Sequence, residues 1–265
     1  MYKNSLKEIM KKRPVFGMTV YSGSPVVIEA LGHFGFDFVF IDAEHTPMSV
    51  TDLKECVMAA RLTGVSPLVR VTRPDVIEIR KALEMGAEGV IIPHVKSKED
   101  MEICVQGAKF PPKGRRGYDA TVRSAGYGGA GFQASDYIEH SNDTELVIPM
   151  AEDYEFMDDI DEIMNVSGID AINFGPADFA LSKNIRVFYD INQPDVQEAM
   201  DEIAKRTTKL GIGLMAPAIP PTEESAKTLI SRGVNMVIMG SDMFNFQNVL
   251  KNIQQDAIQH IIGEN

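Results

Sequence analysis

The sequence contains no tryptophan and only two cysteines among its 265 residues. Cys56 and Cys104 each fall inside a helical pattern beside a valine, which predicts buried thiols rather than a disulfide or a nucleophile. No run approaches the roughly 18 apolar residues that a membrane span requires. Residues 1–14 also lack the apolar segment of a signal peptide. We therefore expect a cytoplasmic protein with no membrane partner.

Positive charge is scarce as well, with 26 lysines and arginines against 38 acidic residues and a net charge of −12. Surfaces that bind nucleic acid or anionic membranes are rich in basic residues, so neither partner is expected. No GxGxxG or GxxxxGK[ST] pattern follows any early strand candidate, which argues against a dinucleotide-binding fold and a P-loop.

Short apolar runs alternate along the chain with amphipathic helical patterns. Eight such strand candidates, each followed by a helix, predict an α/β protein built as one (β/α)₈ TIM barrel over residues 1–265. An N-terminal helix and a C-terminal helix are expected to flank the barrel, the latter available for contacts between subunits. A doubly wound open sheet is the alternative. The predicted strands are 15–21, 36–42, 67–72, 89–95, 146–151, 169–175, 212–216 and 236–240.

Several of these buried runs end abruptly on polar residues. In a barrel, the carboxyl ends of the strands share one mouth, where such side chains can meet. The polar residues at these ends are Asp42, Glu44, His45, Arg70, His94, Glu152, Asp153, Asp178, Ser241 and Asp242.

Glu152 and Asp178 follow neighbouring strands. Two carboxylates with room for water favour a hard cation such as Mg²⁺ or Mn²⁺. Without a third histidine or cysteine ligand nearby, structural zinc is disfavoured. The alternative is that both are solvated loop acids.

Arg70 is the only charged residue of its predicted strand. Because an isolated buried guanidinium is very costly, Arg70 must either reach the mouth or be paired. At the mouth it would contact a carboxylate or negative charge that develops during a reaction. A purely structural ion pair is the alternative.

His45 lies close in sequence to Asp42 and Glu44, an arrangement that suits a general base near neutral pH. The alternatives are a histidine that only stabilises a turn, or His94 as the base. The turn Gly175-Pro176-Ala177-Asp178 leads into a predicted helix, whose free backbone N–H groups could bind a small carboxylate.

Taken together, six segments resemble the HpcH/HpaI class II pyruvate aldolases, which include 2-dehydro-3-deoxyglucarate aldolase and 4-hydroxy-2-oxoheptanedioate aldolase. The D-x-E-H motif followed by G-P-x-D is the most specific feature. The segments occur in family order and are FDFVFIDAEHTPMS (36–49), PLVRV (67–71), ALEMGAEGVIIPHV (82–95), FPPKGRRG (110–117), PMAED (149–153) and IDAINFGPADFALS (169–182).

The resemblance implies a metal-dependent aldolase that reversibly cleaves a 4-hydroxy-2-oxo acid to pyruvate and an aldehyde. It implies that the bound metal is Mg²⁺, or alternatively Mn²⁺ or Co²⁺. It also implies a homo-oligomer, either a trimer or a hexamer, with active sites close to the subunit contacts. The glycine-rich loop 111–134 is expected to contribute to these sites. The resemblance also implies roles for individual residues. The implied catalytic residues are His45, Arg70, Asp42 and Glu84. The implied substrate-binding residues are Arg70, Gly175, Pro176, Ala177 and Asp178, and the implied metal ligands are Glu152 and Asp178.

The sequence departs from the family at three places. Met150 replaces a glutamine that many members carry, Glu84 replaces an aspartate, and no tryptophan lies near Thr19. These differences affect the expected range of aldehydes and the strength of the base. The remaining alternatives are a Schiff-base aldolase using Lys96, a non-catalytic barrel that binds an oxo acid, and a related lyase that acts on CoA thioesters.

Overall fold

Eight parallel strands close into a barrel in the computed structural model, which describes residues 5–188 and 190–263 apart from the side chain of His260. Each strand pairs with the next, and β8 pairs with β1. The (β/α)₈ prediction is confirmed, and an open sheet with unpaired edges is excluded. The strands are β1 Val15–Val20, β2 Phe38–Asp42, β3 Ser66–Arg70, β4 Gly89–Ile92, β5 Leu146–Ala151, β6 Ala171–Phe174, β7 Gly213–Pro217 and β8 Met236–Ser241.

Helices lie between the strands and surround the barrel. They are α1 Leu6–Met10, α2 Pro25–His33, α3 Val50–Thr63, α4 Val76–Glu84, α5 Lys98–Ala108, α6 Ala134–Thr144, α7 Tyr154–Asp158, α8 Ile160–Met164, α9 Pro176–Ser182, α10 Pro194–Leu210, α11 Glu223–Ser231, α12 Asp242–Ile253 and α13 Gln259–Ile262. A 3₁₀ segment spans Arg123–Gly128, and a π-helical turn at Gln254–Ile258 joins α12 to α13.

The strands are apolar on both faces because both faces are covered. Alternate side chains fill the inside of the barrel and the layer between barrel and helices. The inner cluster includes Phe38, Phe40, Leu68, Ile148, Met215 and Met236. The outer cluster includes Val39, Ile41, Val69, Ile172, Val237 and the two unpaired cysteines, Cys56 and Cys104, whose predicted burial is confirmed.

The predicted N-terminal helix, α1, closes one end of the barrel. Leu6 is fully buried, and its N–H donates a 2.6 Å hydrogen bond to Glu88 Oε1. The other oxygen of Glu88 lies 2.9 Å from Arg61 Nη1. The methyl group of Met10 packs against Gly213 at the start of β7, where a Cβ would lie only 2.5 Å from it. The opening of the barrel is therefore at the carboxyl ends of the strands.

The loop 111–134 lies at the closed end. Arg116 is buried and donates to Glu145 and to Ser141 Oγ, and Arg123 Nη1 donates to Met85 O at 3.2 Å. Met85 follows α4 and Glu145 precedes β5, so both mark the amino ends of strands. Any contribution of this loop to an open barrel mouth would therefore have to be made to another subunit.

The first and last strands meet with an irregularity. The register between β1 and β8 shifts between Gly17 and Thr19. Beyond the strands, the carboxylate of Asp242 accepts hydrogen bonds from the N–H groups of Tyr21 and Ser22, at 2.9 and 3.0 Å. Side-chain hydrogen bonds thus join the two strand ends where the ladder is disturbed.

The C-terminal helix α12 exposes a row of large apolar side chains: Phe246, Val249, Leu250 and Ile253. This surface is compatible with the predicted subunit contacts, which stay a prediction. Within the described ranges, no helix has the length and hydropathy needed to cross a membrane.

Candidate active site

A cavity of about 700 Å³ opens at the carboxyl ends of the strands. One side carries ionisable and polar groups, and the other side is formed by apolar residues of the β7 and β8 ends. The lining includes Thr19, Tyr21, Phe40, His45, Arg70, Met150, Asn173, Gly175, Pro176, Ala177, Asp178, Pro217, Ala218, Ile219, Pro221, Ile238, Ser241, Phe244 and Gln247. Of the predicted site residues, His45, Arg70 and the segment 175–178 line this cavity.

Arg70 reaches the cavity and is also paired, so the two predicted possibilities occur together. Asp42 and Arg70 are register partners at the ends of β2 and β3. Nε and Nη2 of Arg70 donate to Oδ1 and Oδ2 of Asp42, both at 2.8 Å, and the arginine is only 5% exposed. Its guanidinium also lies over the ring of Phe40, 5.3 Å from the centroid. A buried bidentate pair fixes the orientation of the guanidinium.

Glu44 is the second acid beside this arginine. Its Oε2 lies 2.9 Å from Arg70 Nη1, a contact with the geometry of an ion pair rather than of a hydrogen bond. Burial of Glu44 raises the pKa of its carboxyl group despite the opposing charges of Arg70, His45 and His94. For Arg70, burial alone would lower the pKa, but the hydrogen bonds and charge of Asp42 raise it. The guanidinium therefore stays charged.

Glu152 is 1% exposed, which excludes the prediction of a solvated loop acid for this residue. Its Oε1 accepts a 2.8 Å hydrogen bond from the N–H of His94. Its side chain lies against Gly175, where an added Cβ would be 2.8 Å from Glu152 Cβ and 2.9 Å from Oε2. Burial, with a smaller contribution from the charge of Asp178, raises the pKa of this carboxyl group to about 7 against the opposing effects of His94 and Arg70. The charges of Glu152 and Asp178 therefore influence each other, and their predicted role as a pair of metal ligands stays a prediction.

His94 stands among three carboxylates. Its Nε2 lies 3.2 Å from Glu44 Oε1, and its Nδ1 lies 2.9 Å from Asp153 Oδ2 and 3.7 Å from Glu152 Oε1. Burial would lower the pKa of His94, but the hydrogen bond to Asp153 and the three acidic charges raise it. The backbone has φ 54° at this residue, an uncommon left-handed conformation that aims the N–H at Glu152.

His45 lies at the rim with its side chain 57% exposed. Its Nε2 is 3.6 Å from Glu44 Oε2. Of the two acids close to His45 in sequence, Glu44 is the one that lies beside its ring, whereas both oxygens of Asp42 accept hydrogen bonds from Arg70. The sequence spacing of the D-x-E-H motif does not reveal which acid faces which cation.

Glu84 lies at the C-terminal end of α4, with its carboxylate 3.7 Å from Arg80 Nε. The C-terminal ends of the helices are at the closed end of the barrel, so Glu84 is not part of the cavity wall of its own chain. Its predicted catalytic role stays a prediction and would require a second subunit.

Lys96, the residue of the Schiff-base alternative, is not a desolvated amine. Its Nζ lies 3.2 Å from Asp153 Oδ1, and although burial would lower its pKa, the hydrogen bond with Asp153 raises it. Lys109 is buried, and its pKa is lowered by that burial. However, it donates to Glu145 O and Asp170 at the closed end of the barrel. Neither lysine meets the requirement for an amine nucleophile in the cavity.

A divalent cation fits this set of side chains. His94, Glu152 and Asp153 each offer a ligand atom, and these atoms lie within 4.8 Å of one another. The sequence predicted Glu152 and Asp178 as the metal ligands. Glu152 therefore belongs both to this predicted pair and to the cluster with His94 and Asp153. Burial raises the pKa values of the Glu44 and Glu152 carboxyl groups even though arginine and histidine side chains lie nearby. A bound cation would supply positive charge that favours their ionised form.

Comparisons with known proteins agree with this geometry. The chain matches the HpcH/HpaI aldolase/citrate lyase family over residues 16–249. The 5-keto-4-deoxy-D-glucarate aldolase of Escherichia coli (strain K12) is 28% identical over 256 residues, 96% of each chain. The crystal structure of the citrate synthase SbnG has a TM-score of 0.86 and 29% identity, covering 98% of this chain and 99% of that one. An HpcH/HpaI aldolase from Desulfitobacterium hafniense DCB-2 has a TM-score of 0.83 and 26% identity, covering 94% and 95%.

These matches confirm the predicted enzyme class, a metal-dependent class II aldolase that acts on small oxo acids. The family match begins within β1 and ends within α12, so it includes every strand that contributes to the cavity. The chain belongs to the HpcH/HpaI aldolase/citrate lyase family.

Proposed function

We propose that this protein reversibly cleaves a 4-hydroxy-2-oxo acid to pyruvate and an aldehyde. The observation that supports this reaction most directly is the buried, fixed guanidinium of Arg70, which lines the same cavity as His45 and Asp178. Breaking the C3–C4 bond of such a substrate leaves an enolate of pyruvate. A preorganised positive charge stabilises that developing negative charge.

Arg70 binds the substrate oxygens with the N–H groups that Asp42 does not use. A guanidinium has five N–H donors, and Asp42 accepts two hydrogen bonds from Nε and Nη2. The second N–H of Nη2, and the N–H groups of Nη1 that lie beside Glu44 without a hydrogen bond to it, can donate to a ketone or carboxylate oxygen. Asp42 therefore acts by positioning Arg70, which needs no reorganisation when the charge develops.

His45 is the proposed base. It removes the proton of the C4 hydroxyl group during cleavage and returns it during aldol addition. Its exposure at the rim leaves the imidazole accessible to a substrate in the cavity. His94 is less suited to this role because Glu44, Asp153 and the backbone contact with Glu152 already engage it.

The start of α9 is the proposed site for the carboxylate of the substrate. Gly175 and Pro176 lead into the helix, and the backbone N–H groups at Ala177 and Asp178 belong to its first turn. These N–H groups have no partner within the helix and favour an anion. Gly175 has an additional role, since its missing side chain makes room for Glu152.

Glu152 and Asp178 are the proposed metal ligands, and Mg²⁺ is the proposed ion, with Mn²⁺ and Co²⁺ as alternatives. When bound, the ion supplies Lewis-acid stabilisation of negative charge on oxygen. Burial and the raised pKa of Glu152 support this assignment, because a nearby cation would hold that carboxyl group in its ionised form. His94 and Asp153 lie directly beside the pair.

A homo-oligomer, either trimer or hexamer, is proposed as the functional assembly. The apolar row on α12 and the position of Glu84 support it. In such an assembly, Glu84 can pair only with the His45 of a different subunit, since it lies at the closed end of its own barrel.

The proposal is tested by exchange of the pyruvate methyl protons for deuterium, and by pyruvate release from a panel of 4-hydroxy-2-oxo acids. Both activities are expected with Mg²⁺, Mn²⁺ or Co²⁺, and both should fall to background after treatment with EDTA and return on readdition. Undiminished activity without metal would contradict the proposal. A covalent pyruvate adduct after borohydride treatment would instead favour the Schiff-base route, and pyruvate binding without exchange would favour a non-catalytic barrel.

A further inference from the structure

The floor of the cavity contains one buried amide side chain, that of Asn173 on β6. Asn173 is 2% exposed and lines the cavity. Its register partners are Met150 on β5 and Met215 on β7, so both strand neighbours are apolar. Ala171, two residues earlier on the same face of β6, belongs to the inner core. A polar residue thus occupies a position where the strand pattern predicts an apolar one.

The oxygen of this amide has no hydrogen-bond partner. In the described part of the chain, five buried side-chain nitrogen or oxygen atoms lack one, and only Asn173 Oδ1 belongs to a residue that lines the cavity. A buried polar atom without a partner destabilises the folded protein. The contribution of Asn173 is therefore not structural in the unliganded chain.

Asn142 shows how this protein treats a structural buried asparagine. Its Oδ1 accepts a 2.7 Å hydrogen bond from the N–H of Phe110, and its Nδ2 donates to Phe110 O at 3.2 Å. Both ends of that amide are satisfied within the protein. Asn173 differs because no described residue supplies a donor to its Oδ1, and the cavity that it lines is where a molecule with such a donor can bind.

We infer that Asn173 is a specificity-determining residue that binds a hydroxyl group on the aldehyde portion of the substrate. This inference rests on the proposed aldol reaction. An amide oxygen requires a donor, which excludes a carboxylate or a ketone as its partner. A hydroxyl group can donate to Oδ1 and also accept from Nδ2, so it satisfies the whole amide.

The position of Asn173 favours the aldehyde portion over the pyruvyl portion. Arg70 and the start of α9 already offer donors for the pyruvyl oxygens. The rest of the lining near the ends of β7 and β8 is largely apolar, with Pro217, Ala218 and Ile238. The hydroxyl of Ser241 is used to cap α12, where it accepts from the N–H of Phe244. An aldehyde with a hydroxyl group is therefore expected to react better than its deoxy analogue.

The test compares kcat/KM for addition of pyruvate to glyceraldehyde and to propanal, which has the same number of carbons but no hydroxyl groups. The wild-type protein should prefer glyceraldehyde, and Asn173→Leu should reduce that preference by about tenfold, the scale of one lost hydrogen bond. Asn173→Leu should also raise the Tm, because it removes an unpaired buried amide. Asn173→Ala provides a second variant with the same expected loss of preference if the larger side chain does not fit.

Asn142→Leu is the matched control. It should lower the Tm, since it leaves the N–H of Phe110 unpaired, while the preference between the two aldehydes stays that of the wild type.

An equal fall in kcat/KM for both aldehydes in Asn173→Leu and Asn173→Ala would overturn the inference, as would an unchanged ratio. If wild-type protein loaded with Mg²⁺, Mn²⁺ or Co²⁺ fails to exchange the pyruvate methyl protons, the proposed function falls, and the inference with it. Intact exchange with an unchanged aldehyde ratio overturns the inference alone.

Discussion

Arg70 binds both carboxylate oxygens of Asp42, with its Nε and Nη2 each 2.8 Å from an oxygen. The two residues are direct register partners at the ends of β2 and β3. Their pairing means that Asp42 orients a cation and not the neighbouring histidine. His45 instead faces Glu44, at 3.6 Å. Within the D-x-E-H motif, Asp42 thus serves Arg70 alone among the basic groups, whereas Glu44 lies near Arg70, His45 and His94.

Replacing Arg70 with lysine should abolish most activity although the charge is conserved. A lysine cannot make the bidentate contact with Asp42, so its ammonium group is not held toward the substrate. We expect kcat to fall by about 10²- to 10³-fold, the scale of a lost oxyanion donor. Steady-state cleavage of the best 4-hydroxy-2-oxo acid measures this effect.

Arg61→Lys is the matched control for that variant. Arg61 pairs with Glu88 at the closed end of the barrel, so its replacement should reduce stability with little change in kcat. Equal losses of kcat in both variants would indicate that Arg70 acts through stability rather than through the substrate.

Glu152 should make the metal-free protein less stable as the pH rises. Its pKa is about 7 in the folded chain against 4.5 for an ordinary glutamate, so the folded state binds more protons than the unfolded state between these values. The free energy of unfolding therefore decreases as the pH rises between these two pKa values. The titration of Glu152 contributes at most about 3 kcal/mol to this decrease and adds nothing at higher pH. Chemical denaturation of metal-stripped protein at several pH values measures the slope.

The contribution of Glu152 is isolated by subtracting the slope of Glu152→Gln, which cannot titrate. With saturating Mg²⁺ this slope should disappear, because the bound ion keeps the carboxyl group ionised in the folded state, as it already is in the unfolded state above its ordinary pKa. Identical slopes for the wild type and Glu152→Gln in the absence of metal would contradict the assigned pKa.

Adding a single methyl group at Gly175 should displace Glu152. The Cβ of alanine would lie 2.8 Å from Glu152 Cβ and 2.9 Å from Oε2, closer than side-chain atoms normally approach. We expect Gly175→Ala to lower metal affinity by about 10- to 100-fold and to destabilise the fold by about 1–3 kcal/mol through overpacking. Calorimetric titration with Mn²⁺ measures the affinity. Gly129→Ala, where the nearest atom is Gly126 O at 3.3 Å, should leave it unchanged.

The two histidines of the mouth should be separable by substitution. His45→Gln should reduce pyruvate methyl exchange and aldol cleavage by about 10²- to 10⁴-fold, as expected for a lost general base. His94→Asn should preserve the backbone contact with Glu152, because asparagine tolerates the left-handed conformation at this residue. The His94→Asn substitution should lower the affinity for the metal by a larger factor than it lowers kcat measured at saturating metal. A larger loss of turnover in His94→Asn than in His45→Gln would assign the base to His94.

The barrel and most of the cavity wall could be predicted from the sequence because their signals are local. Predicted buried strands such as 36–42 and 67–72 end on polar residues, and closure of the sheet brings those ends together. The pairing of charges could not be predicted in the same way. Whether Asp42 faces Arg70 or His45 depends on side-chain directions across two strands. The left-handed backbone at His94, which joins β4 to Glu152, is likewise invisible in a residue pattern.

Two features had a signal in the sequence that the prediction did not use. Asn173 is the single polar residue inside the apolar run AINF, on the same face as Ala171 and therefore inside the barrel. The loop 111–134 follows α5 and precedes β5, and segments that follow helices return to the amino ends of the strands. Its position at the closed end was thus determined by connectivity.

The seam between β1 and β8 gives the cavity an adjustable side. Thr19 and Ser241, which line the cavity, are register partners just beyond the shift in pairing. The hydrogen bonds from Tyr21 and Ser22 to Asp242 lie beside them. A bulky ligand pressing on this side would strain a few side-chain contacts rather than a regular ladder. Substituting Asp242 is therefore a way to admit bulkier substrates without moving Arg70 or Glu152.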